Sequence, residues 1–110
     1  TFVGNGCVIV AQQSIRIGQR VLIGEYVSIR DQDHRIDGAG PILDSGFETS
    51  PIEIGDDVWI GAKSTVLRGS CIGHGAVVGA HSLVRGELPD GAVAVGLPAR
   101  IVRQRAPAHD

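Results

Sequence analysis

From Ile54 onward an aliphatic residue returns at every sixth position: Ile54, Ile60, Val66, Ile72, Val78 and Val84. The same spacing gives Ile17, Ile23 and Ile29 upstream. Glycine follows six of these nine residues, at Gly18, Gly24, Gly55, Gly61, Gly73 and Gly79. Two positions before the aliphatic stands another aliphatic or small residue, as at Val58, Ser64, Ser70, Ala76 and Ser82. A period of six matches neither the repeat of an amphipathic helix nor the alternation of a hairpin sheet. It matches a repeating unit of one short strand and one corner.

Three such units close a triangular turn of chain. The periodic Ile or Val then points inward and stacks on its counterpart in the next turn, with the small residue beside it where the triangle is narrow. Corners fall at Gln19-Arg20, Glu25-Tyr26, Asp56-Asp57, Ala62-Lys63, Arg68-Gly69, His74-Gly75 and Ala80-His81, pairs that are mostly polar or small as exposed turns require. Composition agrees: 16 glycines against one Trp, one Tyr and two Phe suit tight turns around a core of branched aliphatic side chains. A short β-sandwich with regular turns is the alternative, and nine aliphatic positions in two strict frames disfavour it. The N-terminal "TFVGNGCVIVAQQS" is near-strand, with Val3 and Ile9 six apart in a different frame.

The beat stops between Gln32 and Ser50. "DHRIDGAGPILDSGFETS" is polar and rich in glycine, and a long loop inside a compact domain is usually functional or disordered. The expected organisation is one domain over 1–110, with the loop at about 32–51, a C-terminal extension from about 96 to 110 that peels off the last turn and partly covers it, and no N-terminal cap. The chain begins at Thr1 in mid-pattern, which fits a mature form or a fragment. A net charge of -2 argues against a general nucleic-acid binder. Cys7 and Cys71 suggest neither a disulfide framework nor a metal knuckle; free thiols in a reducing, cytoplasmic compartment are expected. No apolar run is long enough to cross a membrane, and a chain without a secretory leader is expected.

The order of parts is more specific than the repeat. A coil, the loop "DQDHRIDG", then "PIEIGDDVWIGA", further hexads and "GLPARIVR" resemble the sugar and xenobiotic O-acetyltransferase branch of the hexapeptide-repeat family. That branch includes galactoside, maltose, nodulation-factor and polysaccharide acetyltransferases, and the resemblance is strongest over residues 17–103. It implies an all-β fold, a left-handed parallel β-helix with a protruding loop and a short C-terminal extension. It also implies acetyl-CoA-dependent transfer of an acetyl group to a hydroxyl of a sugar or of a polysaccharide or lipopolysaccharide precursor, in a homotrimer with sites between subunits and without metal.

By the same resemblance the loop histidine, His34, is the general base. An imidazole, with an ordinary pKa of about 6.5, can take the proton of a poorly nucleophilic hydroxyl while staying largely neutral at physiological pH. A loop carbonyl, Asp31 or Asp33 are the candidates to orient it. The resemblance places the oxyanion donor at the Ala62 N–H and the CoA contacts at Trp59, Ala62, Ala80, Arg85, Arg100 and Arg103. Arginine forks suit the CoA phosphates. The acceptor-side candidates are Asn5, Gln12 and Phe47. The chain departs from the pattern at "VRGE" around Arg85 and at Gly46 where relatives carry an acid, and the N-terminal helical segment of relatives is expected to be missing from residues 1–110. Two other functions compete. A γ-type carbonic anhydrase would use His74 as a zinc ligand, but Gly79 stands where the next ligand belongs and His81 falls on another corner. A non-catalytic coil serving assembly would need neither a loop histidine nor a CoA groove.

Overall fold

The computed structural model describes residues 1–106. Short strands stack into three faces. The first face carries Phe2–Val3, Leu22–Ile23, Trp59–Ile60, Val77–Val78, Ala92–Gly96 and Ala99–Gln104. The second carries Val8–Val10, Ser28–Arg30, Thr65–Val66 and Leu83–Val84. The third carries Ile15–Ile17, Ile52–Ile54, Cys71–Ile72 and Glu87–Leu88. Within the faces every pairing is parallel except that of Ala92–Gly96 with Ala99–Gln104.

The inward residues are those the hexad predicts. Ile23, Ile29, Ile60, Val66, Val78 and Val84 are fully buried, and Ser64, Ser70 and Ser82 sit among them. Each serine is satisfied by the coil's own backbone: Ser64 Oγ donates to the Gly79 carbonyl at 3.0 Å, Ser70 Oγ to the Leu67 carbonyl at 2.6 Å, and Ser82 Oγ accepts from the Gly96 N–H at 3.0 Å. A hydroxyl is tolerated there because a donor or acceptor of the next turn lies within reach.

All seven predicted corners turn through a left-handed second residue. Arg20, Tyr26, Asp57, Lys63 and His81 have φ between 55° and 62°, and Gly69 and Gly75 have 76° and 71°. The glycine after the inward aliphatic has a different cause. A Cβ at Gly61 would lie 2.6 Å from the Ala80 nitrogen, and one at Gly24 would lie 2.8 Å from the Ala62 nitrogen. Successive turns touch backbone to backbone there, and no side chain fits.

Register shows where the chain is free to vary. At the corner between first and second faces the inward residues are always six apart: Val3 to Ile9, Ile23 to Ile29, Ile60 to Val66, Val78 to Val84. The corner between third and first faces also keeps six, as from Ile17 to Ile23 and Ile54 to Ile60. Every irregularity lies at the corner between second and third faces. The step is eight from Ile9 to Ile17, six from Val66 to Ile72 and four from Val84 to Leu88. Two extra residues at that corner explain the shifted frame of Val3 and Ile9.

The same corner holds the long insertion, and it is not a structureless loop. Gln32–His34 pairs antiparallel with Phe47–Thr49, with Gln32 opposite Thr49, Asp33 opposite Glu48 and His34 opposite Phe47. A single 3-10 turn, Ile42–Asp44, lies between these strands. The C-terminal segment leaves the hexad path at Leu97-Pro98 and folds back on the last turn, where Ala99–Gln104 adds an antiparallel strand to the first face. The last four residues of the expected extension lie outside the described residues.

Gly61→Ala should therefore destabilise the protein by about 1–3 kcal/mol, the usual cost of overpacking. Gly38→Ala, whose Cβ would meet nothing within 4 Å, should stay within about 0.5 kcal/mol of wild type. Denaturant midpoints at one fixed protein concentration compare the two.

Candidate active site

His34 stands on the projecting ribbon, exposed, with its ring against Phe47: the centroids are 4.5 Å apart and the planes tilted by 34°. Asp33, His34, Ile36, Asp37, Glu48 and Arg68 line a cleft of about 420 Å³. Arg68 reaches into it from the next turn of the coil. Its Nε donates to Asp33 Oδ2 at 2.8 Å and its Nη2 to Glu48 Oε2 at 2.9 Å.

Neither acid suggested by the sequence orients the imidazole. Asp33 is held by Arg68. Asp31 is fully buried at the root of the ribbon and serves the backbone instead. Its Oδ1 accepts from the Gln12 N–H at 2.9 Å, and its Oδ2 from the N–H groups of Gln13 at 2.7 Å and Ser14 at 2.8 Å. The two-residue excess of the first turn is thus bound onto the start of the insertion in the second. Burial pushes the Asp31 carboxyl up, but the hydrogen bonds from Gln12, Gln13 and Ser14 outweigh it and hold the group below the usual carboxylate range.

The residues expected to hold CoA lie elsewhere on the coil. Ala62 and Ala80 occupy the corner between first and second faces, one above the other, with the His81 N–H donating to the Ala62 carbonyl at 2.9 Å. Comparison with the neighbouring corner shows what is special about them. Between third and first faces, the N–H of each first corner residue is capped by a side chain of the next turn. Gln19 donates to Asp56 Oδ1 at 2.8 Å, Asp56 to His74 Nδ1 at 2.8 Å, and His74 to Asp90 Oδ1 at 2.9 Å. At the corner of Ala62 and Ala80 no side chain caps in this way: among the described residues, the N–H groups of Asn5, Glu25, Ala62 and Ala80 have no hydrogen-bond acceptor. The ladder also explains His74. Its Nδ1 accepts from a backbone N–H, so it is a corner cap, and no group of three or more His, Cys, Asp and Glu side chains placed to hold a metal occurs among the described residues.

Trp59 points outward from the first face, 54 % exposed. Asp57, Val77, Val93, Arg103 and Arg105 surround it in a hollow of about 520 Å³. Arg105, not among the expected contacts, also donates from Nη1 to the Gly75 carbonyl at 2.8 Å. Arg100 lies nearer the hairpin turn, opposite Val95, and does not line this hollow. Arg85 stands exposed just beyond Leu83–Val84, at the start of the corner between second and third faces. Of the acceptor-side candidates, Phe47 packs on His34 and Gln12 lies at the root of the ribbon. Asn5 lies at the Ala62 corner, where its carbonyl accepts from the Tyr26 N–H at 2.9 Å. Within one chain, His34 and the uncapped N–H groups occupy different corners of the triangle.

Residues 51–86 match the family described as bacterial transferase hexapeptide (six repeats). The chain is a left-handed β-helix of hexapeptide repeats. A galactoside acetyltransferase solved in complex with coenzyme A superposes on the hexapeptide coil with a TM-score of 0.81 at 30 % identity, over 93 % of this chain and 54 % of that one. A Mycobacterium tuberculosis protein named as an acetyltransferase is 48 % identical over 103 residues, 93 % of this chain and 34 % of its own length. An Escherichia coli protein named for O-acetyl transfer in lipopolysaccharide biosynthesis is 38 % identical over 100 residues, 84 % of this chain and 51 % of its own. The chain thus spans between a third and about half the length of these two relatives. No helix among the described residues is long and apolar enough to cross a membrane.

The buried carboxylate at the ribbon root gives a test. Asp31→Asn should lower stability by roughly 2–4 kcal/mol at neutral pH, because the amide cannot accept from all three N–H groups. The folded-state pKa is depressed, so the carboxylate's contribution is full above the ordinary value of 3.8 and is lost as pH falls through the folded-state value. Acid titration of unfolding should show this component in the wild type and lack it in the variant.

Proposed function

We propose that the chain is the catalytic coil of an acetyl-CoA-dependent O-acetyltransferase that acts on a hydroxyl of a sugar or of a polysaccharide or lipopolysaccharide precursor. The observation that carries this reading is the contrast between corners: capped N–H groups at Gln19, Asp56 and His74, uncapped ones at Ala62 and Ala80. Uncapped donors stacked at one corner, with the exposed Trp59 on the adjoining face, suit an amide-rich pantetheine arm and a thioester carbonyl. Arg103 and Arg105 at the Trp59 hollow, and Arg100 farther along the hairpin, supply cations for the CoA phosphates. The galactoside acetyltransferase that shares the fold holds coenzyme A.

In this reading His34 accepts the proton of the acceptor hydroxyl as the oxygen attacks the acetyl thioester carbon. The oxyanion that forms accepts a hydrogen bond from the Ala62 N–H, a donor already in place. Collapse breaks the C–S bond, the departing thiolate takes the proton from the imidazolium, and the acetyl ester leaves with the acceptor. Phe47, packed on His34, borders the acceptor, and no metal enters.

His34 and Ala62 lie on different corners, so one chain does not complete such a site. A homotrimer that sets the ribbon of one subunit beside the Ala62 corner of another does. Its contact surface is argued from the first face, where Phe2, Leu22, Trp59, Val77 and Val93 form an outward apolar ladder in register, so that the hollow at Trp59 lies at the seam between subunits. The outward residues of the third face are Arg16, Glu53, Cys71 and Glu87, a row suited to water. A cytoplasmic setting follows from the need for acetyl-CoA and suits the free Cys7 and Cys71.

His34→Ala should lower kcat by roughly 10²–10⁴ while CoA affinity by calorimetry stays within about twofold. His74→Ala, a corner cap, should leave turnover per folded enzyme within about threefold. Near-native turnover of His34→Ala on an acceptor used by the wild type would remove the general-base assignment.

A further inference from the structure

The proposed base has no side-chain hydrogen bond to hold it among the described residues, so its aim depends on the ribbon that carries it. The ribbon has an electrostatic fault. Asp33 and Glu48 face each other directly across its two strands, and like charges in that position drive strands apart. The pair adjoins His34 and Phe47, which face each other one step farther out. Backbone bonds hold the root, where Ser50 N–H donates to the Asp31 carbonyl at 2.9 Å and Gly69 N–H to the Ser50 carbonyl at 3.2 Å. Beyond His34 and Phe47, Arg35 N–H donates to the Gly46 carbonyl at 2.9 Å. The acidic pair lies between these ties, on strands that are themselves paired in register, so the repulsion is one between side chains on a bonded ladder.

Arg68 answers that repulsion. One guanidinium takes a carboxylate from each strand, at 2.8 and 2.9 Å, and it comes from the regular turn below the insertion. Arg35 adds only a longer contact to Glu48, 3.6 Å. A single exposed ion pair contributes little, but here the cation joins three segments and cancels a repulsion. With both carboxylates engaged, its charge is spent inside the cleft, which argues against a role in binding an anion. Building on the acetyltransferase reading, we propose that Arg68 is a positioning residue for His34: it clamps the two strands of the ribbon onto the coil and so sets the direction of the imidazole. Misplacement of a reacting group by about 1 Å costs up to about 10²-fold in rate.

The test uses the intact chain and two independent readouts. In Arg68→Ala, kcat should fall about 10- to 100-fold with the KM for acetyl-CoA within about twofold. Hydrogen exchange at the Arg35 amide should rise about tenfold or more while the Ile60 and Val78 amides stay unchanged. Arg68→Lys should retain one contact and fall between. Removing the repulsion as well, in Arg68→Ala with Asp33→Asn and Glu48→Gln, should restore part of both the rate and the protection. Three results would overturn the proposal: unchanged exchange in the ribbon, loosened exchange with native kcat, or core amides loosened to the same degree. The exchange arm does not need turnover. If the wild type transfers no acetyl group to any hydroxyl acceptor, the enzymatic reading fails and with it the role toward a base, while exchange still decides whether Arg68 clamps the ribbon.

Discussion

Backbone contact between successive turns governs this molecule. Gly24 N–H donates to the Ile60 carbonyl at 2.8 Å, Gly61 to Val78 at 2.8 Å and Gly79 to Ala94 at 2.9 Å, so each turn is the hydrogen-bonding partner of the next. Such stacking leaves no room for drift. Two of the three corners keep a step of six from end to end, and only the corner between second and third faces absorbs extra or missing residues. A rigid coil with one permissive corner is a scaffold that can carry a projecting element without losing register. The ribbon bearing His34 occupies that corner.

The rigidity also makes small differences between corners chemically meaningful. A corner N–H faces outward wherever the chain turns. Where the next turn supplies Asp56, His74 or Asp90, that donor is consumed by the fold. Where it supplies no capping side chain, as at Ala62, the donor stays available at a fixed position, which is what a preorganised oxyanion site requires. In the proposed enzyme the two halves of the chemistry are therefore kept apart on each chain: a base on the projecting ribbon, donors on the coil.

Much of this was legible in the sequence because the hexad couples directly to geometry. The inward aliphatics, the buried serines at 64, 70 and 82, and the left-handed corners from Arg20 to His81 follow from a repeat that admits one packing. The ribbon strands escaped because Gln32–His34 and Phe47–Thr49 are polar or mixed, with no apolar alternation to mark them. Asp31 reads as one acid among several, since its role depends on three N–H groups from a corner 17 to 19 residues upstream that the widened first turn brings together. The terminal hairpin did leave a signal: "AVAVG" and "ARIVR" are strand-like stretches flanking "LP", which is a turn. Arg68 was assigned to a corner correctly, but its partners lie across an insertion whose path the hexad does not specify.

The central claim is that His34 of one subunit works with the Ala62 N–H of another. Ala62→Pro removes that donor at a turn position that accommodates proline, and His34→Ala removes the base. Each variant alone should be nearly inactive. Co-assembled at equal ratio, they place an intact histidine beside an intact Ala62 corner in one interface of four by chance, ½ × ½, so the mixture should regain about a quarter of the wild-type rate. A mixture that forms mixed trimers yet stays as inactive as its components would contradict a site shared between subunits.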